Sequence, residues 1–119
     1  MNIVKFKGGI KMQEVINGLL YDTNKAELIL TDSGIKVLYH EGGSLTQHYK
    51  KDLYVTPNKR FFEISQKGYE NYTNFFCTKT AVKWEPSYLY SLNIAEAYNK
   101  FKHLITPKIK EQYFDIQEA

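Results

Sequence analysis

Apolar and polar positions alternate with a period of two through Leu53-Tyr54-Val55-Thr56 and again through Phe61-Phe62-Glu63-Ile64, the pattern of paired strands. Pro57-Asn58-Lys59-Arg60 between them reads as a turn, so the stretch 53–65 is expected to be the central hairpin of an antiparallel sheet. With those residues as the loop, Val55 faces Phe62 and Leu53 faces Ile64 on one apolar side. Tyr54 opposite Glu63 and Thr56 opposite Phe61 make the other. The apolar side needs a cover, and Ile94, Ala97, Tyr98, Phe101, Leu104 and Ile105 recur at helical spacing further along the chain. Asn93 and Glu96 can close a capping box, with Leu92 placed to staple onto Ala97. One amphipathic helix over 93–105 is therefore placed across the sheet.

The remaining pattern fills in around this pair. Asn17-Gly18 tolerates positive φ at both turn positions and predicts a hairpin between 14–16 and 19–21. Asp22 or Thr23 can cap a short helix from Asn24 to Leu30, with Ala26, Ile29 and Leu30 inward and Thr31-Asp32-Ser33-Gly34 stopping it. A strand is expected over 35–40, a turn over 41–44, and a long strand over 45–56 in which Lys50-Lys51-Asp52 marks a bulge or an exposed edge. Residues 66–80 read as an ordered loop leading to a strand at 74–78. Val82 to Pro86 is extended, residues 87–91 form a further strand, and Thr106-Pro107 starts a second helix. The fold class is α+β: a small antiparallel sheet against one main helix, with a basic arm over 1–9, a single domain over 10–106 and a C-terminal helical segment over 107–119.

Composition narrows the class. A chain of 119 residues, 43% hydrophobic and 24% charged, supports one core. Ten tyrosines in a 15% aromatic share point to half-buried sheet positions or a contact surface. Net charge is +3 and Arg60 is the only arginine, which argues against sequence-specific reading of bases. Cys77 stands alone, excluding an internal disulfide or a cysteine-based zinc site, and no stretch reads as a signal peptide or membrane span, so a cytoplasmic protein is expected.

No nucleophile elbow, P-loop, dinucleotide fingerprint or zinc-protease motif is present, so the chain is read as a non-enzyme without cofactor. His40, His48 and His103 lack ligand spacing, and no metal site is expected. The candidate chemistry is binding. Lys50, Lys51, Lys59 and Arg60 bracket the first strand of the central hairpin, and Tyr54, Phe61, Tyr69 and Tyr72 would make a stacking platform on a sheet face that the helix leaves open. The competing reading is a solvated basic face, with the aromatics buried under the 66–80 loop.

The order of motifs resembles a group of small proteins encoded by phages and conjugative elements of low-GC bacteria. It is carried by Ile16-Asn17-Gly18, Tyr21-Asp22-Thr23 with Ala26 and Ile29, Leu53-Tyr54-Val55-Thr56, Phe61-Phe62, and Leu92 before a capped helix holding Glu96-Ala97. The likeness covers about Val15 to Phe101. Members tend to have glycine in the central turn, where this chain has Pro57-Asn58-Lys59-Arg60. The resemblance implies a mobile-element accessory protein, with anti-CRISPR proteins the class it fits. Its expected partner is then a host CRISPR-associated nuclease or its ribonucleoprotein, with RNA or DNA as the alternative ligand and no membrane.

Overall fold

A computed structural model describes residues 4–6, 9–41, 43–70 and 82–114, without the side chains of residues 4–11 and His40. Strands dominate. β1 (Val4–Phe6) and β2 (Gly9–Lys11) form a two-stranded antiparallel ribbon that starts in the stretch expected to be an arm and runs past its expected end at residue 9. β3 (Gln13–Ile16) and β4 (Leu19–Asp22) form a second, joined by Asn17 at φ 51° and Gly18 at φ 77°. Two successive left-handed residues give the twist a two-residue hairpin needs, which is why Asn-Gly sits there.

The main sheet has β5 (Glu27–His40), β6 (Gly43–Val55), β7 (Phe61–Glu70) and β8 (Lys83–Trp84) in that order, with β9 (Tyr88–Leu92) also pairing with β7, all antiparallel. With five strands it is larger than the small sheet expected around the central hairpin. The helix expected over 24–30 is a strand. Asp22 does begin a helical turn, its Oδ1 accepting from the amide of Asn24 and its carbonyl from Ala26, but the turn ends at once in β5. A register shift between Leu28 and Leu30 explains the misleading pattern. The bulge turns the adjacent Ile29 and Leu30 toward one core, while Ala26 packs against the other, and together they imitate helical spacing without a helix.

Two more expectations are corrected. Lys50-Lys51-Asp52 is neither edge nor bulge, because β6 pairs without a shift on both sides there and buried Asp52 accepts from Thr31 Oγ1 at 2.7 Å. Residues 66–70 continue β7 instead of opening a loop; the strand expected over 74–78 lies outside the described residues.

The central hairpin is also out by one residue. Val55 pairs with Phe61, Tyr54 with Phe62 and Leu53 with Glu63. The loop closes with Thr56 N–H donating to the Arg60 carbonyl and Lys59 N–H donating to that of Thr56, and Lys59 at φ 61° completes a three-residue turn of the bulged kind. Since side chains alternate, a slip of one residue exchanges partners across the whole hairpin. Tyr54, Phe62 and Ile64 face Met12, Tyr21 and Leu89 in one core, while Leu53 and Phe61 face Ala97, Phe101 and Phe114 in another. Both faces are buried at this end of the sheet.

α1 (Ile94–Phe101) begins with the capping box at Asn93 and Glu96, and a 3-10 turn (Lys102–Leu104) follows it, so the single helix expected over 93–105 ends early. α2 (Pro107–Tyr113) is capped by Thr106. Phe114 beyond it stacks on Phe61 with ring centroids 5.0 Å apart. The C-terminal segment is thus part of the core as far as Phe114. No helix among the described residues is long and apolar enough to cross a membrane.

Candidate functional site

α1 and α2 cover only the turn-proximal end of their sheet face. Beyond them the register sets rows of side chains that share this helix-bearing face, because residues directly opposite in a ladder point the same way. Asp32, Lys51, Ser65 and Tyr88 form one row, Gly34, Tyr49 and Lys67 the next, and Lys36, Gln47, Tyr69 and Lys83 the third. Contacts confirm the assignment. Lys36 and Lys51 place Nζ 5.3 and 5.8 Å from the centroid of the Tyr49 ring, and Lys100 of α1 lies 5.7 Å over Tyr90.

The charge on this surface is nearly all of one sign. Asp32 is met by His103 Nε2 at 3.0 Å. Glu63, buried beneath α1, has Lys100 Nζ 3.0 Å from Oε1, close enough for an ion pair but not aligned as a directed hydrogen bond. Lys36, Lys51, Lys67 and Lys83 have no carboxylate within ion-pair distance among the described residues; Glu85, whose amide donates to the Lys67 carbonyl, flanks the rim. Four cations held on a β surface among tyrosine rings create a field that attracts polyanions.

Tyr49 lies flat because its cross-strand partner is glycine. A Cβ on Gly34 would stand 2.6 Å from the Tyr49 hydroxyl and 2.8 Å from the adjoining ring carbon. Aromatic cover over a strand glycine recurs on the opposite face, where Trp84 lies over Gly68. There its neighbours are His48, at 6.3 Å between centroids, and Glu70, which meets His48 Nε2 at 2.8 Å.

The residues singled out from the sequence divide among several places. Tyr54 is 6% exposed and stacks on Phe62 at 5.1 Å, and Phe61 is 4% exposed, so neither belongs to an exposed platform. Burial, with Asp52 nearby, holds the Tyr54 phenol above its usual pKa. Lys50 faces the other side, 3.7 Å from Asp52. Lys51 and Tyr69 are the two that reach the basic face. Tyr72 lies outside the described residues. Lys59 and Arg60 are exposed at the turn, on the order of 15 Å along the strands from Lys51.

Arg60 there lines an open groove of about 710 Å³ with Val55, Leu92, Ile94 and Tyr113. The Tyr113 hydroxyl donates to Glu27 at 2.6 Å, which raises its pKa. The residues missed, Lys36, Tyr49, Lys67, Lys83, Tyr88 and Tyr90, carried a readable signal: basic or aromatic side chains at every second position, as in Tyr49-x-Lys51, Lys67-x-Tyr69 and Tyr88-x-Tyr90. Reading 66–80 as a loop hid it.

Among the described residues no three His, Cys, Asp or Glu side chains converge as a metal site. Comparison with protein families, curated proteins and solved structures returns no match for this chain, so its functional reading rests on the surface itself.

Proposed function

We propose that the protein is a non-catalytic nucleic-acid-binding accessory protein that engages the phosphate backbone through the lysine and tyrosine face of its main sheet. The observation that carries this is the row pattern of Lys36, Lys51, Lys67 and Lys83 around Tyr49, Tyr69 and Tyr88, with Asp32 and Glu63 of that face already met by His103 and Lys100 and Glu85 left at its rim. Lysine is a point charge without arginine's fork, which suits a backbone contact indifferent to sequence. Fluorescence anisotropy of a labelled oligonucleotide tests it: binding that weakens steeply with salt supports the reading, and absence of binding at low salt refutes it.

The order of sequence motifs favours a second reading, in which the protein is encoded by a phage or mobile element and inhibits a host CRISPR-associated nuclease complex. The same face would then meet the guide RNA or an acidic patch of the effector, in the bacterial cytoplasm. Affinity capture from nuclease-treated lysate of a CRISPR-bearing host separates the two. Recovery of one effector in near-stoichiometric amount favours inhibition; loss of every partner on nuclease treatment favours nucleic acid alone.

A further inference from the structure

We infer that the ligand of this face is single-stranded, with unpaired bases laid against the rings of Tyr49, Tyr88 and Tyr90, an inference that rests on the nucleic-acid reading above. A duplex would offer only its backbone, because its base faces are stacked on one another and closed to side chains. The lysines would be used and the tyrosines would contribute little. The tyrosines are placed for more than that. Tyr88 is 56% and Tyr90 47% exposed, their centroids 6.4 Å apart and their planes 31° from parallel, side by side on β9.

Tyr49 stands two strands away, about 9.5 Å across the sheet. Between Lys51 and Tyr88 the row holds only the small side chain of Ser65, which leaves a shallow floor at the level of the backbone. The Tyr49 ring is held flat over Gly34, so it offers a face and not an edge. The two ammonium groups resting on that face are free of carboxylates among the described residues and can turn outward to phosphates when a base takes their place.

Covering a strand glycine explains the flat Tyr49 ring by itself. It does not explain the lysine pair over the ring, nor two exposed tyrosines two strands away on β9. Trp84 over Gly68 serves as an internal control, since it has the same glycine cover but, among the described residues, His48 paired to Glu70 beside it and no lysine over its ring.

The test compares three labelled ligands of about 12 nucleotides, within the site size of single-strand binders: an oligothymidylate, an abasic strand of equal charge, and a duplex. The oligothymidylate should bind tightest. Tyr49→Ala and Tyr88→Ala should each weaken it about fivefold or more while leaving the abasic strand unaffected, Tyr49→Phe should restore binding, and Trp84→Ala should change nothing. Thermal melts check that each variant is folded; should Tyr49→Ala prove unfolded, exposed Tyr88→Ala decides the matter. Equal binding of abasic strand or duplex, or tyrosine variants without effect, overturns the single-strand inference and leaves nucleic-acid binding standing. If the wild-type protein binds none of the three ligands, the nucleic-acid reading itself falls.

Discussion

Neutralising two lysines of the basic face, Lys51→Gln with Lys67→Gln, should halve the salt sensitivity of nucleic-acid binding. Four lysines project from the strands of this face without a carboxylate partner among the described residues. If each neutralises one phosphate of a single strand, log K falls against log salt with a slope of about −0.7 per contact, about −2.8 in all. Raising monovalent salt from about 50 to 200 mM then weakens binding about 50-fold. The double variant retains two contacts, so its slope falls to about −1.4 and the same change costs about sevenfold. Anisotropy titrations across a salt series read both numbers directly. The informative control is Lys59→Gln with Arg60→Gln at the distant turn, which should leave the slope unchanged. A slope lowered by the turn variant and untouched by the face variant would refute the choice of surface.

Three further outcomes follow from the packing. Lys100→Met leaves the buried Glu63 carboxylate without its cation and should destabilise the fold by about 2 kcal/mol in urea denaturation; because Lys100 is itself half exposed, the cost is less than for a fully buried pair. Adding Glu63→Met should recover most of that loss, and a double variant as unstable as the single one would show that the pair is not what matters. Lys59→Gly should stabilise by about 0.5 kcal/mol, since relief of the left-handed backbone at φ 61° outweighs the extra freedom of glycine in the unfolded chain; an unchanged or lower midpoint counts against that account of the turn. The Tyr54 phenol, raised by burial and by Asp52, binds its proton more tightly folded than unfolded. Its contribution is complete below the ordinary phenol value and is lost as pH rises through the folded value, so stability should decline above about pH 10 and Tyr54→Phe should flatten that decline.

The sequence revealed elements more readily than register. The Asn17-Gly18 hairpin and the capping box at Asn93 and Glu96 are local devices, written in adjacent residues, and both were legible. The central hairpin was legible as two strands and a turn. Its register depended on whether Arg60 belongs to the loop or closes it opposite Thr56, which no periodicity decides when both faces are buried and Leu53, Tyr54 and Val55 are all apolar in kind. That slip carried Tyr54 and Phe61 from an exposed platform into two cores. The bulge at Ile29 had the opposite effect, making a strand look helical. Of the residues singled out from the sequence, Lys51 and Tyr69 lie on the basic face. The rest of their face comes together only when β5, β6, β7, β8 and β9 are aligned, a long-range fact that single strands do not carry.

Backbone amide shifts in an isotope-labelled sample titrated with a short oligothymidylate test the central claim most directly. The account predicts perturbations at Lys36, Tyr49, Lys51, Ser65, Lys67, Tyr88 and Tyr90, with little change at residues 56–60. Shifts confined to the turn and its groove, or no shifts at low salt, would contradict it.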